Sequence, residues 1–339
     1  MMNDKKLALR FIVLLAASLI LAACAASPTA TPAPVTEAPA ITETVDEPVE
    51  EAPVEPQPEA EPITLTDGLG REVSLPGPAQ RVISIAPSNT EILFAVGAGG
   101  QMVGRDEFSD YPPEAQEITN IGGKLGELDP ETLLAQEPDL VLASQLTPAE
   151  QIQSLENVGL VVYALPNPTE IEGLYENLRV VGRLTGHEEE AETLIAELQE
   201  RVAAVEEKVA TAEERPLVFY ELDSTDPSAP WTAGPGTFIE TIIEMAGGEN
   251  VGSTLQGDYA QISIENLLVE DPDVIILGDY TWGGVTPEDV VARSGWQELS
   301  AVQNGRVYTF DDNLISRPGP RLVDGLEEMA RLLHPGLFE

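Results

Sequence analysis

One stretch of this chain occurs twice. Residues 130–142 (PETLLAQEPDLVL) return 134 positions later as residues 264–276 (IENLLVEDPDVII). Each copy reads as a short helix with an acidic first turn, a Pro-Asp break and a fully apolar β run, which is half of a βαβ unit. The duplication implies two α/β lobes of like design. A glutamate, Glu131 or Glu265, stands at the same place in each copy. A partner touching both lobes could therefore read a matched pair of negative charges.

The residues around each copy fill in such a lobe. Before the first copy, residues 81–86 predict a strand, 89–96 a helix ended by Gly97, Gly99 and Gly100, and 102–104 a second short strand. After it, 148–158 predict a helix and 160–165 a strand. The second half repeats the alternation with a strand from 217, a helix over 237–245, the second copy, a strand over 306–310 and a last helix over 321–333. Between the halves, a helix over 170–184 and a turn at Thr185-Gly186 precede an unbroken helical pattern over 187–213. Ala191, Leu194, Ile195, Leu198, Val202, Val205 and Val209 keep helical spacing there, with charge elsewhere. At 1.5 Å per residue that helix would span roughly 40 Å, a stiff spine that would hold lobe motion small. The expected class is α/β: two Rossmann-like lobes joined by a long rigid helix, with a ligand cleft between them. The expected divisions are 1–23, 24–62, 63–168, 169–215 and 216–339.

The N-terminal segments predict location. Lys5, Lys6 and Arg10 precede an apolar run over 11–23, shorter than a comfortable membrane span and typical of a secretion signal. Leu21-Ala22-Ala23-Cys24 closes it as a lipobox, so cleavage before Cys24 and acylation would tether the protein to a membrane from outside the cytoplasm. Cys24 is the single cysteine in 339 residues, which rules out a disulfide within the chain and a cysteine-based metal cluster. Residues 25–62 hold nine prolines and nine acidic residues with no Lys or Arg, a disordered, self-repelling spacer. From residue 63 onward, 14 basic residues face 49 acidic ones, a net charge of −35. Nucleic acid and anionic headgroups are poor partners for such a surface. The expected membrane contact is through the N-terminal lipid alone, and the expected state is a monomer.

Several motifs together resemble the substrate-binding proteins of ABC importers for cobalamin, haem and iron-siderophore complexes, the class with a helical backbone. They are residues 81–93 (RVISIAPSNTEIL), 108–112 (FSDYP), both copies of the repeat, 246–250 (AGGEN) and 317–321 (RPGPR), and the likeness spans about residues 64–336. It is nearest the cobalamin-binding branch. The resemblance implies a ligand between the lobes, a cobalamin, related corrinoid or ferric siderophore. It also implies a permease with its ATPase as partners, docked through permease arginines on Glu131 and Glu265. A second reading of those glutamates is local, because Asp129 and Ser263 look like N-caps and an acidic first turn favours the helix dipole.

By their places in the family motifs, Phe108, Trp231 and Tyr259 fall where cleft aromatics occur, and Arg317 matches a cleft arginine. Trp282 is a further candidate from its position after the second apolar run. Where cobalamin binders carry tryptophans near 123 and 144, this chain has Lys124 and Ser144. Lys124 and Arg317 would suit an anionic siderophore, so both ligand classes stand. Catalysis is poorly supplied: His187 and His334 are the only histidines, leaving no Ser-His-acid arrangement and no His-rich metal site. No catalytic residue, resident metal or cofactor is expected. The other function class compatible with these features is a sensing or adhesion lipoprotein of the same fold without a transport partner.

Overall fold

The computed structural model describes residues 61–123 and 128–338, all within one compact unit, Gln57–Glu339. The expected signal segment, Cys24, most of the spacer, and Lys124 lie outside the described residues. The chain enters through a hairpin of β1 (Ile63–Thr66) and β2 (Glu72–Leu75), a pair the sequence reading did not anticipate. Asp67 builds its turn by accepting from the amides of Leu69 and Arg71 and from the Arg71 guanidinium.

The first half then alternates β3 (Val82–Ser84), α1 (Pro87–Ala95), β4 (Met102–Arg105), α2 (Pro130–Leu134), β5 (Leu140–Ser144), α3 (Ala149–Asn157) and β6 (Val162–Leu165). Its sheet is wholly parallel in the order β4-β3-β5-β6. A parallel sheet is covered on both faces, which is why β5 and β6 read as nearly unbroken apolar runs rather than alternating ones.

Two helices follow, α4 (Ile171–Thr185) and α5 (Glu188–Val209), before the second half begins. The expected helix over 187–213 is shorter at both ends, 22 residues or roughly 33 Å. Its apolar stripe ends at Val209, and the backbone then tightens as Thr211 and Ala212 donate to the carbonyls of Lys208 and Val209. Beyond that point only Ala210 and Ala212 are apolar, and neither is buried. Ala191, Ile195, Leu198, Val202 and Val205 of α5 are buried in a core that runs without a break from the first sheet through α4 and α5 into the second half.

The second half comprises β7 (Leu217–Asp223), β8 (Trp231–Ala233), α6 (Phe238–Met245), β9 (Glu249–Asn250), β10 (Tyr259–Gln261), α7 (Ile264–Glu270) and β11 (Val274–Leu277). It continues with α8 (Tyr280–Gly283), α9 (Pro287–Ala292), α10 (Ser300–Gln303), β12 (Val307–Thr309), α11 (Asn313–Ser316) and α12 (Leu322–Leu333). β11 lies parallel to β7 and β12, as the repeat predicted. The second sheet departs from the first at its edge, where β8 and β10 add an antiparallel ribbon, making the sheet mixed.

The duplication extends to the backbone. Among the described residues the only non-glycine positions with positive φ are Glu137 (φ 50) and Asp271 (φ 47), which are equivalent in the two copies. Asp139 and Asp273 are equivalent too. Asp139 accepts from the amides of Gln80 and Arg81 ahead of β3, and Asp273 from the amide of Leu217 at the start of β7. In each half the Pro-Asp break thus sets the register of the central strand pair.

Candidate functional site

The carboxyl ends of parallel strands are where α/β sheets bind ligands, and each half has a cavity there. The first, about 280 Å³, is lined by Ala86 after β3, Asp106 after β4, Ser144 at the end of β5, and by Phe108 and Leu146. The second, about 420 Å³, is lined by Asp223 at the end of β7, by Ser224 and Thr225, by Asp279 after β11, and by Trp282.

On the first wall a buried polar network fixes the loop that carries Phe108. The hydroxyls of Thr90, Ser84 and Ser109 are linked at 2.8 Å, and Ser109 donates to Asp106. The other Asp106 oxygen accepts the Phe108 amide at 2.8 Å. Burial pushes the Asp106 carboxyl up, against the lowering effect of these hydrogen bonds. Phe108 itself is left 50% exposed on the turn that Asp106 braces.

The second wall is more elaborate. Register pairs Asp223 with Trp231 and Trp231 with Gln261, while Tyr259 pairs with Ala233, so Trp231 and Tyr259 stand on one face of the β8–β10 ribbon. They are 41% and 57% exposed, and Trp282 in α8 is 65% exposed. Asp312 gathers the group by accepting from the Tyr220 hydroxyl at 2.8 Å, the Trp282 indole at 3.4 Å and, through its own amide, donating to Thr281. Although the Tyr259 ring is exposed, crowding at its hydroxyl and the nearby Asp258 and Asp312 hold that phenol above its ordinary value. Gly278 has to be glycine here, since a Cβ would lie 2.6 Å from the Tyr220 ring.

Beneath Asp279 lies a buried ion pair that the sequence reading missed. Arg293 grips Glu221 with both guanidinium nitrogens, at 2.6 and 2.9 Å, donates to Ser224, and stacks 4.5 Å from the Trp296 ring. Burial pushes the Glu221 carboxyl up to about 7, with Asp279 adding to the rise and Arg293 opposing it. Glu221 and Arg293 are 72 residues apart and no motif joins them.

The two halves meet through carboxylates and arginines. Arg321 is bidentate on Glu91 of α1, at 2.8 and 2.5 Å, and its guanidinium covers the Tyr111 ring at 3.9 Å. Arg317 bonds Asp110 at 2.6 Å, lies 3.9 Å from Glu91 and 6.0 Å from the Trp282 ring. Of the candidate cleft residues, Arg317 and Trp282 are therefore adjacent, Trp231 and Tyr259 share a ribbon face, and Phe108 sits on the opposite wall two residues from the Asp110 that Arg317 holds. Glu91, Asp110, Tyr111 and Asp279 were not singled out from sequence, although Asp110 and Tyr111 fall in the quoted 108–112 motif. Glu131 and Glu265 stand apart from these residues, both exposed, in the first turns of α2 and α7. Asp129 caps α2 through the Glu131 amide and the Thr132 hydroxyl, and Ser263 caps α7 through the Asn266 amide.

The match to known proteins runs through the same elements. The periplasmic binding protein family matches residues 82–314. The chain belongs to that family. An ABC transporter substrate-binding lipoprotein of Bacillus subtilis is 29% identical over 82% of this chain and 87% of its own length. A cobalamin-binding protein of Halobacterium salinarum is 30% identical over 80% of this chain and 74% of its own. Among solved structures, the periplasmic vitamin B12 binding protein of Vibrio cholerae superposes with a TM-score of 0.66 at 27% identity, over 77% of this chain and 99% of that one. An Fe3+-hydroxamate transport protein of Saccharomonospora viridis gives 0.62 at 28% identity, over 80% and 98%. This protein is accordingly a substrate-binding component of an ABC transporter, extracytoplasmic by family and a binding protein rather than an enzyme. Such components work with a permease and an ATPase.

Proposed function

We propose that the protein captures a metal chelate outside the cell, a cobalamin, related corrinoid or ferric siderophore, and delivers it to its permease while anchored by a lipid on Cys24. It acts as a monomer, with lobes at 63–168 and 216–339 and a connector at 169–215. The chelate lies between Phe108 on one side and Trp231, Tyr259 and Trp282 on the other. Aromatic walls with a few polar groups suit a large, partly apolar ligand. The relatives named for cobalamin and hydroxamate binding support this ligand class, and the lipoprotein relative supports the anchor.

The observation that carries the transport reading is the matched pair Glu131 and Glu265. Each is exposed, each occupies the first turn of a capped helix, and each helix feeds an interior parallel strand of its own sheet. A sensor has no need of equivalent charges on both halves, whereas a permease with paired arginines does. Lys substitution at both positions is expected to abolish uptake by the reconstituted importer and leave chelate affinity nearly unchanged. Uptake at the wild-type rate would sink the docking assignment.

A further inference from the structure

A third cavity, about 470 Å³, opens where α4, α5 and α6 meet and shares no lining residue with the two at the strand ends. Each helix gives it one face at helical spacing: Glu172 and Tyr175 from α4, Val202 and Glu206 from α5, Thr241 and Glu244 from α6. The Thr241 hydroxyl donates to the Thr169 carbonyl at 2.8 Å, fixing α6 against the segment that leads into α4. Ile171 and Val202, both buried, and half-buried Met245 give the groove an apolar lining, while Glu170, Glu172, Glu206 and Glu244 stand exposed around it. None of these four carboxylates has a cationic or hydrogen-bonding partner among the described residues. Lys208 lies over the Phe338 ring instead, and Arg215 donates to the backbone carbonyls of Glu244 and Gly248.

In so acidic a chain, four unpaired carboxylates alone make only a solvated surface. Tyr175 sets this groove apart. It is 3% exposed, it lines the cavity, and its hydroxyl has no hydrogen-bond partner among the described residues. Burial first, and then the charges of Glu172 and Glu206 on the same groove, hold its phenol above the ordinary value. A buried hydroxyl left unpaired is costly, and a ligand N–H donated to its oxygen removes that cost. No three acids among the described residues converge closely enough to hold a metal ion. Negative charge is thus spread along the groove, which suits an extended organic cation better than a bare ion.

We propose that this groove is a second binding site and that it takes a linear polyamine. The methylenes lie along Ile171, Val202 and Met245, the ammonium groups meet Glu172, Glu206 and Glu244, and one of them donates to the Tyr175 oxygen. The site is separate from the cleft and does not depend on which chelate the cleft takes.

Calorimetric titration of the full chain in detergent with spermidine tests this, at about 0.15 M salt so that diffuse attraction to the acidic surface is screened. One saturable site is expected, with magnesium chloride, the comparison probe, binding far more weakly. Glu172→Gln with Glu206→Gln should weaken spermidine about fivefold or more, the scale of two exposed ion pairs. Glu188→Gln with Glu189→Gln, the same change of charge in the first turn of α5, should leave its affinity unaltered. Tyr175→Phe keeps the ring and loses only the hydroxyl, and should weaken spermidine about fivefold, the scale of one hydrogen bond. Equal losses in the two double variants would make spermidine a counterion of the whole surface and overturn the site. Magnesium binding as tightly as spermidine, or no saturable spermidine binding, overturns it as well. Unchanged affinity in a folded Tyr175→Phe protein removes the contact that distinguishes this groove, and the proposal with it.

Discussion

At the scale of single residues, the carboxyl groups buried at the carboxyl ends of the sheets set the pH response. Glu221 goes from an ordinary 4.5 to about 7 on folding, and burial raises Glu91, Asp106 and Asp279 in the same direction. Between about 4.5 and 7 the folded chain keeps a proton on Glu221 that the unfolded chain has lost. Stability from this group is therefore full at the acid end and falls as pH rises through that window. The thermal midpoint should drop between pH 5 and pH 7.5, and Glu221→Gln, which cannot ionise, should flatten the drop. A variant with an unaltered pH profile would show that Glu221 ionises freely in the fold. These groups were not legible in the sequence, since nothing in an acidic chain marks which carboxylates will be buried. Glu221 differs from dozens of other acids only because Arg293 is brought to it from 72 residues away.

At the scale of elements, the duplicated segment shows how equal sequences acquire unequal energetics. Asp271, the C-cap of α7, and Glu137, three residues past the end of α2, both have positive φ, a conformation that costs a non-glycine residue about 1 kcal/mol or more. Among the described residues no side-chain bond to Glu137 compensates, so Glu137→Gly should stabilise by up to about 1 kcal/mol, less the added chain entropy of glycine. Asp271 instead accepts from the Ser300 amide and hydroxyl, both at 2.7 Å, at the start of α10. Asp271→Gly should therefore destabilise, by about 1 kcal/mol once the cap is lost. Denaturant unfolding of both variants gives the two signs directly. The paired units, α5 and the parallel strands were all readable from apolar periodicity because burial on both faces leaves a long, unambiguous run. The β1–β2 hairpin and the β8–β10 ribbon were not. Strands of three or four residues give too few alternations to show a period, and the ribbon is held by register with β7 rather than by its own pattern.

At the scale of the whole molecule, one uninterrupted core passes from the first sheet through α4 and α5 to α6 and α12. The clasp of Glu91 by Arg321, and of Asp324 and Glu327 by Arg201, adds polar ties across the same junction. Calorimetry should accordingly show a single unfolding transition rather than one per half. Leu198→Ala, at the centre of that core, should lower stability by about 2–5 kcal/mol while leaving the transition single. Two separate peaks would mean the halves fold independently. The disposition of the tryptophans gives this molecule a built-in optical gauge. Trp296 is fully buried against Phe219 and Arg293, while Trp231 and Trp282 face solvent at the second wall. A guest entering there would quench or blue-shift two indoles and leave the third as an internal standard, so occupancy could be followed without attaching a dye.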